Sequence, residues 1–223
     1  MQEVEIYSSL TNNQISKNRN YLARMNDEKV SCMIRAKKYD YDYWDGEKKY
    51  GYGGYNFKEG YWQPFAKVLI DKYNLKDNSK ILDIGCGKGY LLYEIKKIIP
   101  SIQIVGVDIS KYAIENAHPL VKNVILNKSA YDTYPFDNNY FDLTISLNTV
   151  HNFPIYNLDR AIKEINRVSK QSYLLLESFN NEQQLFNLQC WSLTCETFFD
   201  TKSWNYILNT FNFQGDYEFN IFN

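Results

Sequence analysis

Three glycines spaced two residues apart, Gly85, Gly87 and Gly89, follow a short apolar run in this chain of 223 residues. The run at 80–84 has the composition of a buried strand, and residues 90–99 place Leu and Ile along one face of a helix. Glycine permits a sharp turn and lets the backbone approach a ligand closely. A strand, a glycine loop and a helix in this order predict the first half of a nucleotide-binding βαβ unit.

The spacing of these glycines distinguishes two ligand chemistries. A dinucleotide site requires Gly-x-Gly-x-x-Gly with the pyrophosphate at the helix N-terminus. Here the third glycine comes one residue early, and Tyr90 stands where that pattern needs a small residue. Asp83, two residues before Gly85, would repel a pyrophosphate but suits a ligand that carries an ammonium group. The loop therefore favours such a ligand over a dinucleotide.

A second acid, Asp108, ends the next apolar run at 103–107, 19 residues after Gly89. An ionised carboxylate offers two acceptor oxygens, enough for both hydroxyls of a ribose. The alternative is that Asp108 caps the helix predicted at 110–117. Because Ser110 can supply that cap, we expect Asp108 to bind ribose.

This pattern resembles the first motif, Asp-x-Gly-x-Gly-x-Gly, of the class I (Rossmann-like) S-adenosylmethionine (SAM) methyltransferases. The resemblance covers about residues 62–180. It implies SAM as the cofactor, with S-adenosylhomocysteine as the product, and a set of cofactor contacts. These are Asp83, Gly85, Cys86, Gly87, Gly89, Asp108, Ile109, Ser129, Ala130, Asp132 and Asn148.

The adenine end of that set departs from the family pattern. Residues 129–136 are similar to the family's Asp-Ala-x-x-Leu-Pro-Phe segment, but Ser129 replaces the acid and one extra residue precedes Pro135. Either Ser129 or Asp132 can accept a hydrogen bond from the adenine amino group. The alternative is a solvated loop of ordinary turn residues.

Three residues are candidates for catalysis. Asn148 and His151 follow the fourth predicted strand, where the methyl group and its acceptor should meet, and Glu177 ends the fifth. His151 is either a general base, which an alcohol acceptor needs, or a residue that hydrogen-bonds the acceptor or holds the loop. Glu177 is a second candidate near the acceptor. His118 is expected at the surface.

Residues 1–60 form a separate cap or lid segment ahead of a SAM-binding domain at 61–223. Five of the ten glycines lie between Gly46 and Gly60, interleaved with tyrosines. We expect a lid that closes over cofactor and substrate, with contacts from Tyr50, Tyr52, Gly54 and Tyr55. A low-complexity linker or an aromatic plug on the sheet are the alternatives.

The remaining chain predicts an α/β fold, a doubly wound and mostly parallel sheet. Strands are expected near 80–84, 103–108, 123–127, 141–147, 172–178 and 214–222. Helices are expected near 27–39, 62–73, 89–99, 110–117, 157–169 and 202–210, with an irregular loop at 39–61. The resemblance implies an antiparallel closing strand. The tail offers one good candidate, so a seventh strand would have to come from 192–199.

The net charge and the cysteine and histidine content limit the kinds of ligand and partner that we expect. A formal charge of −1 gives no field that attracts nucleic acid. The four cysteines and two histidines lack metal-ligand spacing, so no metal is expected, and reduced thiols indicate a reducing compartment. The N-terminal residues do not form a signal peptide and no apolar run reaches membrane-spanning length, so we expect a cytoplasmic protein. The oligomeric state is left open.

The sequence therefore predicts a SAM-dependent methyltransferase acting on a small polar molecule. A looser resemblance, to a small bacterial group often encoded among capsule and lipopolysaccharide genes, implies a saccharide, a nucleotide-linked precursor or a phosphoramidate of surface polysaccharide biosynthesis. Arg24 and Arg35 can then serve an anionic group. The alternatives are a non-catalytic SAM-binding module, a Rossmann NAD-dependent oxidoreductase, and a nucleic-acid methyltransferase.

Overall fold

A seven-stranded sheet, parallel throughout, forms the centre of the protein in the residues that the computed structural model describes, 1–11, 19–53 and 55–223. The strand order is β1-β7-β6-β5-β2-β3-β4. The strands are β1 Gln2–Glu3, β2 Lys80–Ile84, β3 Gln103–Asp108, β4 Ile125–Asn127, β5 Leu143–Leu147, β6 Ser172–Ser178 and β7 Asp216–Ile221. The doubly wound α/β prediction is confirmed.

Ten α-helices lie within the same described ranges. They are α1 Tyr7–Thr11, α2 Tyr21–Asn26, α3 Lys29–Ala36, α4 Tyr41–Trp44, α5 Gln63–Lys72, α6 Tyr90–Ile98, α7 Lys111–Glu115, α8 Ile155–Val168, α9 Glu182–Trp191 and α10 Thr201–Thr210. Short 3-10 turns cover Lys48–Tyr50, Lys122–Val124 and Val150–Asn152. None of these helices has both the length and the apolar character needed to cross a membrane.

Both faces of the sheet are buried, as the apolar strands require. Along β2, Ile81 enters one hydrophobic cluster together with α5 and α6, while Leu82 and Ile84 enter a second with α8 and α10. Successive side chains of a strand point to opposite faces, so a continuous apolar run serves both layers. Because all strands run in one direction, their carboxyl ends meet at one edge of the sheet.

The strand that brings the sheet to seven strands comes from the N-terminal end of the described residues. The antiparallel closing strand that the resemblance implies does not occur in the described part of the chain: β1, at the N-terminus, pairs in parallel with β7 at the edge of the sheet. Residues 192–199 form no strand. Two residues were too short a run to show the alternation by which a strand is recognised in sequence.

The N-terminal segment is more helical than predicted. The helix expected at 27–39 is the shorter α3, which begins at Lys29 because Glu28 before it adopts a left-handed φ of 46°. Helix α2 precedes it and was not predicted. The expected loop at 39–61 contains α4 and a 3-10 turn. Helix α9 was not predicted, although Asn181 caps it by accepting from the N–H of Gln184, a signal that the sequence does carry.

A buried carboxylate fastens the N-terminus to the sheet. Glu218 on β7 accepts hydrogen bonds from the backbone N–H groups of Ile6, Tyr7 and Ser8, at 2.8, 2.8 and 2.6 Å. The hydroxyl of Tyr173 donates to the same carboxylate at 2.6 Å. These bonds satisfy the first N–H groups of α1, which a helix leaves unpaired. Glu218 therefore holds the start of the N-terminal segment on β7.

Replacing Glu218 by Gln should lower the free energy of unfolding by about 2–4 kcal/mol, since an amide NH₂ would face N–H donors where a carboxylate accepted them. Urea denaturation monitored by circular dichroism measures this. Glu3→Gln, at an exposed position on β1, is the matched control and should change stability by less than about 0.5 kcal/mol. Equal stability of both variants would show that Glu218 does not anchor the segment.

Candidate active site

A cavity of about 630 Å³ opens at the carboxyl edge of the sheet. We call its two ends the β2–β4 end and the β6–β7 end, after the strands that reach each. Residues after β2, β3 and β4 line the first, and Glu177, Asn220 and Phe222 from β6 and β7 line the second. Residues following β5, among them Asn148 and His151, lie between the two. Ligands of open α/β sheets bind at this edge.

The glycine loop forms the floor of the β2–β4 end. Gly85 and Gly87 have left-handed φ values of 78° and 55°, which side chains rarely adopt. A Cβ on Gly85 would collide with Oγ1 of Thr149, and one on Gly87 would lie 2.7 Å from the ring of Trp44. Only glycine fits at both positions, so the backbone itself faces the cavity, together with Cys86.

Asp108 supports this loop from β3. Its Oδ2 accepts the N–H of Gly87 at 2.7 Å and its Oδ1 accepts the N–H of Ser110 at 2.8 Å. Burial raises the pKa of Asp108, while these N–H donors oppose the shift by stabilising the charged form. Each carboxylate oxygen retains further acceptor capacity. Asp108 and its neighbour Ile109 both line the cavity.

Asp83 is buried at the end of β2 with 4% of its surface exposed. Burial, and then the negative charge of Asp108, raise its pKa to about 7. A positively charged ligand group beside it would restore the ionised form. The β2–β4 end therefore suits a ligand that combines a cationic group with vicinal hydroxyls.

Of the predicted cofactor contacts, Ser129 and Ala130 line the cavity, whereas Gly89 and Asp132 do not. The Asp132 carboxylate turns back into its own loop and accepts the N–H of Ser129 at 2.8 Å. Gly89 lies at the start of α6, where its Cα packs under Val121. Asp132 and Gly89 therefore support the residues that line the cavity and do not line it themselves.

His151 faces Glu177 through both ring nitrogens. Its Nδ1 accepts the backbone N–H of Glu177 at 3.2 Å, and its Nε2 lies 3.4 Å from Oε2 of the Glu177 carboxylate. This pattern assigns the ring proton to Nε2. Complete burial lowers the pKa of His151 to about 3, so the ring is neutral. Its one lone pair is used by the backbone, which argues against the predicted role of general base.

Glu177 has a pKa near neutrality and a carboxylate oxygen that is free to accept a hydrogen bond, whereas His151 has neither property. Burial raises the pKa of its carboxyl to about 7, with the positive charge of Arg19 acting in the opposite direction. The 3.4 Å contact with His151 is long for a hydrogen bond, and Oε2 has no other partner in the described part of the chain. The buried Oδ1 of Asn148 is unpartnered there as well. Oε2 of Glu177 and Oδ1 of Asn148 can therefore each accept a hydrogen bond from a ligand.

A family model described as a methyltransferase domain matches residues 75–215. The chain belongs to this methyltransferase-domain family. Proteins of the family bind SAM.

Relatives differ in what they methylate. The ribosomal RNA small subunit methyltransferase C of Buchnera aphidicola is 39% identical over 95 residues, 42% of this chain and 26% of that protein. The malonyl-[acyl-carrier protein] O-methyltransferase of Bacillus cereus is 28% identical over 118 residues, 52% of this chain and 43% of that protein. The matched stretches thus span less than half of either relative.

A solved structure shows the same fold. The geranyl diphosphate C-methyltransferase of Streptomyces coelicolor, in complex with Mg²⁺, geranyl diphosphate and S-adenosylhomocysteine, has a TM-score of 0.53 and 12% identity. The alignment covers 65% of this chain and 58% of that one. The class I methyltransferase architecture is therefore shown for this chain.

Aromatic residues of the N-terminal segment cover the cavity of this methyltransferase domain. Trp44, above Gly87, donates from Nε1 to Oγ of Ser110 at 2.8 Å. The rings of Tyr43 and Tyr55 stack at 5.3 Å, and the hydroxyl of Tyr55 donates to that of Tyr43 at 2.9 Å. Tyr43, Trp44 and Tyr55 line the cavity, as does Tyr52. The segment has the position of a lid.

An ion pair fastens this segment to the glycine loop. The Asp45 carboxylate accepts from Nζ of Lys88 at 2.6 Å and from the Tyr112 hydroxyl at 2.8 Å. Lys88, inside the loop, is almost fully buried. These bonds connect the segment directly to the loop, a contact that neither motif indicated in the sequence.

The structure places Tyr50 away from the cavity, contrary to expectation. Its buried ring packs in a separate cluster with Cys32, Ala36 and Leu193, because the 3-10 turn at 48–50 directs it toward α3. The predicted contact of Gly54 lies outside the described residues.

The arginines predicted to serve an anionic group have other partners. Arg24 donates to the backbone carbonyls of Trp191, Lys48 and Gly51. Arg35 lies 3.5 Å from Asp42 in a surface ion pair. Arg19, which the sequence analysis missed, lines the cavity instead. Its aromatic neighbours come from distant parts of the chain, so no local pattern marked it.

Asp83→Asn should stabilise the ligand-free protein at pH 8 more than at pH 5. In the unfolded chain the pKa of Asp83 is near 3.8 and in the folded protein about 7, so the folded state binds more protons between these values and stability falls as pH rises through them. The gain in Tm over wild type should be larger at pH 8 by about 5 °C or more. Differential scanning fluorimetry at both pH values measures it.

Asp71→Asn, which removes an exposed negative charge from α5, is the control for the change in net charge. The burial argument for Asp83 is contradicted if both variants show the same difference between pH 5 and pH 8.

Proposed function

We propose that this protein is a SAM-dependent methyltransferase that methylates a hydroxyl group of a small polar acceptor, with Glu177 as the general base. The unpartnered, buried Oε2 of Glu177 carries the proposal. It faces the same cavity as the glycine loop, from the end of β6, with β5 between β6 and β2. The Nε2–H of His151, 3.4 Å away, is too distant to satisfy this buried oxygen. An acceptor hydroxyl would supply a closer donor.

The residues of the β2–β4 end fit SAM. Gly85 and Gly87 bring their backbone to the cavity wall, and Asp83 suits the cationic methionine part. Asp108 retains acceptor capacity for the ribose hydroxyls, and Ser129 borders the adenine with Ala130 and Ile109. When bound, SAM supplies an electrophilic methyl group, whose S–C bond breaks as the new O–C bond forms, leaving S-adenosylhomocysteine.

The residues of the chain itself would remove the proton of the acceptor hydroxyl. Glu177, deprotonated, accepts the proton of the acceptor hydroxyl as the oxygen becomes methylated. His151 holds the Glu177 backbone through Nδ1 and presents its Nε2–H to the carboxylate, so it orients the base. The Asn148 Oδ1 is a second acceptor between the two ends. The aromatic segment excludes water from the reacting groups.

For the acceptor, we propose a saccharide, a nucleotide-linked precursor or a phosphoramidate of surface polysaccharide biosynthesis. Polar groups on the wall, such as Glu177 and Asn220, alternate with the flat rings of Trp191 and Tyr52, which suits a hydroxyl-rich molecule. A formal charge of −1 disfavours the RNA acceptor that one relative's name suggests. We place the lid at residues 1–60 and the SAM-binding domain at 61–223. The free thiols suit the cytoplasm.

Calorimetric titration should show micromolar binding of SAM and S-adenosylhomocysteine, about −8 kcal/mol. Asp108→Ala should abolish it while the protein stays folded by circular dichroism, because the ribose hydroxyls and the Gly87 amide lose their acceptor. Asp71→Ala is the control, since Asp71 is an exposed residue of α5 outside the cavity wall. Undiminished affinity in Asp108→Ala would contradict the ribose assignment, and absence of binding to wild type would contradict the cofactor.

With an acceptor found by screening sugars, nucleotide sugars and phosphoramidates for S-adenosylhomocysteine release, kcat/KM should rise with pH through about 7, where Glu177 of the free enzyme loses its proton. Glu177→Gln should lower kcat about 10²-fold or more, flatten this profile, and leave cofactor affinity unchanged. A profile retained in Glu177→Gln would assign the base elsewhere. If cofactor binds but no acceptor is methylated, the alternative of a non-catalytic SAM-binding module gains support.

A further inference from the structure

Arg19 is held in the β6–β7 end of the cavity by two aromatic rings. Its guanidinium carbon lies 4.3 Å from the ring centre of Trp191 and 5.2 Å from that of Phe222. Such stacking engages the planar faces of a guanidinium. The N–H donors, which lie in the guanidinium plane, stay free for a planar anionic partner.

No carboxylate pairs with this guanidinium in the described part of the chain, and no hydrogen bond is formed by it there. The neighbouring residues 12–18 contain no Asp or Glu in their sequence. Other arginines are satisfied: Arg24 by carbonyls, and Arg167 by Glu164 at 2.6 Å. Arg19 is therefore a half-buried cation that lacks an anion, which is unfavourable unless a ligand supplies one.

The order of the strands assigns that ligand to the acceptor. Phe222 follows β7, and β6 and β5 stand between β7 and the glycine loop after β2. Glu177, at the end of β6, lies close enough for the charge of Arg19 to lower the pKa of its carboxyl. Arg19 thus lies beside the proposed base, on the side away from the ribose-binding Asp108.

We propose that Arg19 binds an anionic group of the acceptor, a phosphate or a carboxylate, while Glu177 receives the proton of a hydroxyl on the same molecule. The inference rests on the proposed function, and it narrows the acceptor to an anionic hydroxyl compound. A bidentate Arg–anion pair would fix the acceptor's orientation, so that one hydroxyl is presented to Glu177.

The test measures binding of three small probes to the full chain saturated with S-adenosylhomocysteine. Phenyl phosphate and benzoate carry the two anions, and benzyl alcohol is the neutral counterpart. Dissociation constants are measured by ligand-observed NMR for wild type and three variants. Arg19→Gln removes the charge, Arg19→Lys keeps it without the planar donors, and Arg160→Gln is the control, an exposed arginine 5.5 Å from the Tyr131 ring centre.

We expect wild type to bind at least one anionic probe at least tenfold more tightly than benzyl alcohol. Arg19→Gln should lose that preference, Arg19→Lys should keep part of it, and Arg160→Gln should behave as wild type. The affinity for S-adenosylhomocysteine should be the same in all four proteins. Preference for phenyl phosphate or for benzoate then identifies which anion the acceptor carries.

Two results would overturn the inference. One is equal affinity for anionic and neutral probes in wild type, or an unchanged preference in Arg19→Gln. The other is a tenfold loss of S-adenosylhomocysteine affinity in Arg19→Gln, which would assign Arg19 to the carboxylate of the cofactor. Failure of wild type to bind S-adenosylhomocysteine would contradict the proposed function instead. The probe titrations, repeated without it, test Arg19 separately.

Discussion

The burial of carboxylates at one edge of the sheet is the constraint on which the site depends. Parallel strands bring Asp83, Asp108 and Glu177 to that edge, and the N-terminal aromatic residues keep water from them. In water these acids would ionise independently. In the cavity, burial raises the pKa of each, so each favours a partner that stabilises its charge. Ligand binding is therefore linked to the protonation of the site.

The proposed lid and the glycine loop are in direct contact. The ring of Trp44 packs on Gly87, where any larger residue would collide with it. Asp45 forms an ion pair with Lys88 of the loop. Opening the lid would separate a nearly buried ion pair and expose an aromatic cluster. The cluster consists of rings that contact one another at 4.6–5.9 Å, those of Tyr39, Tyr43, Trp44, Tyr52 and Tyr55. These contacts within the protein would favour the closed position of the proposed lid.

Periodicity predicted the centre of the fold, because β2, β3 and β6 are long apolar runs whose bounds follow from composition. The glycine loop and the two acids were likewise found from local spacing. The edge strand β1 was not, since a two-residue strand that pairs with Tyr217, 214 positions after Glu3, carries no local pattern. The same limit applies to Arg19, whose surroundings exist only after Trp191 and Phe222 have come together.

The surroundings of His151 and Glu177 show why the proposed base could not be chosen from residue type alone. Histidine is the usual choice at neutral pH, but here the backbone N–H of Glu177 occupies the lone pair of Nδ1 and burial keeps the ring neutral. The same burial raises the pKa of Glu177 toward neutrality, where a base is most effective.

An anion bound to Arg19 would add to this effect. The charge of Arg19 lowers the pKa of Glu177, and an anion beside the guanidinium would offset that charge. The acceptor would then strengthen, by its own binding, the base that removes its proton. A neutral acceptor would leave Glu177 the weaker base, so charge at this end of the cavity would contribute to both affinity and rate.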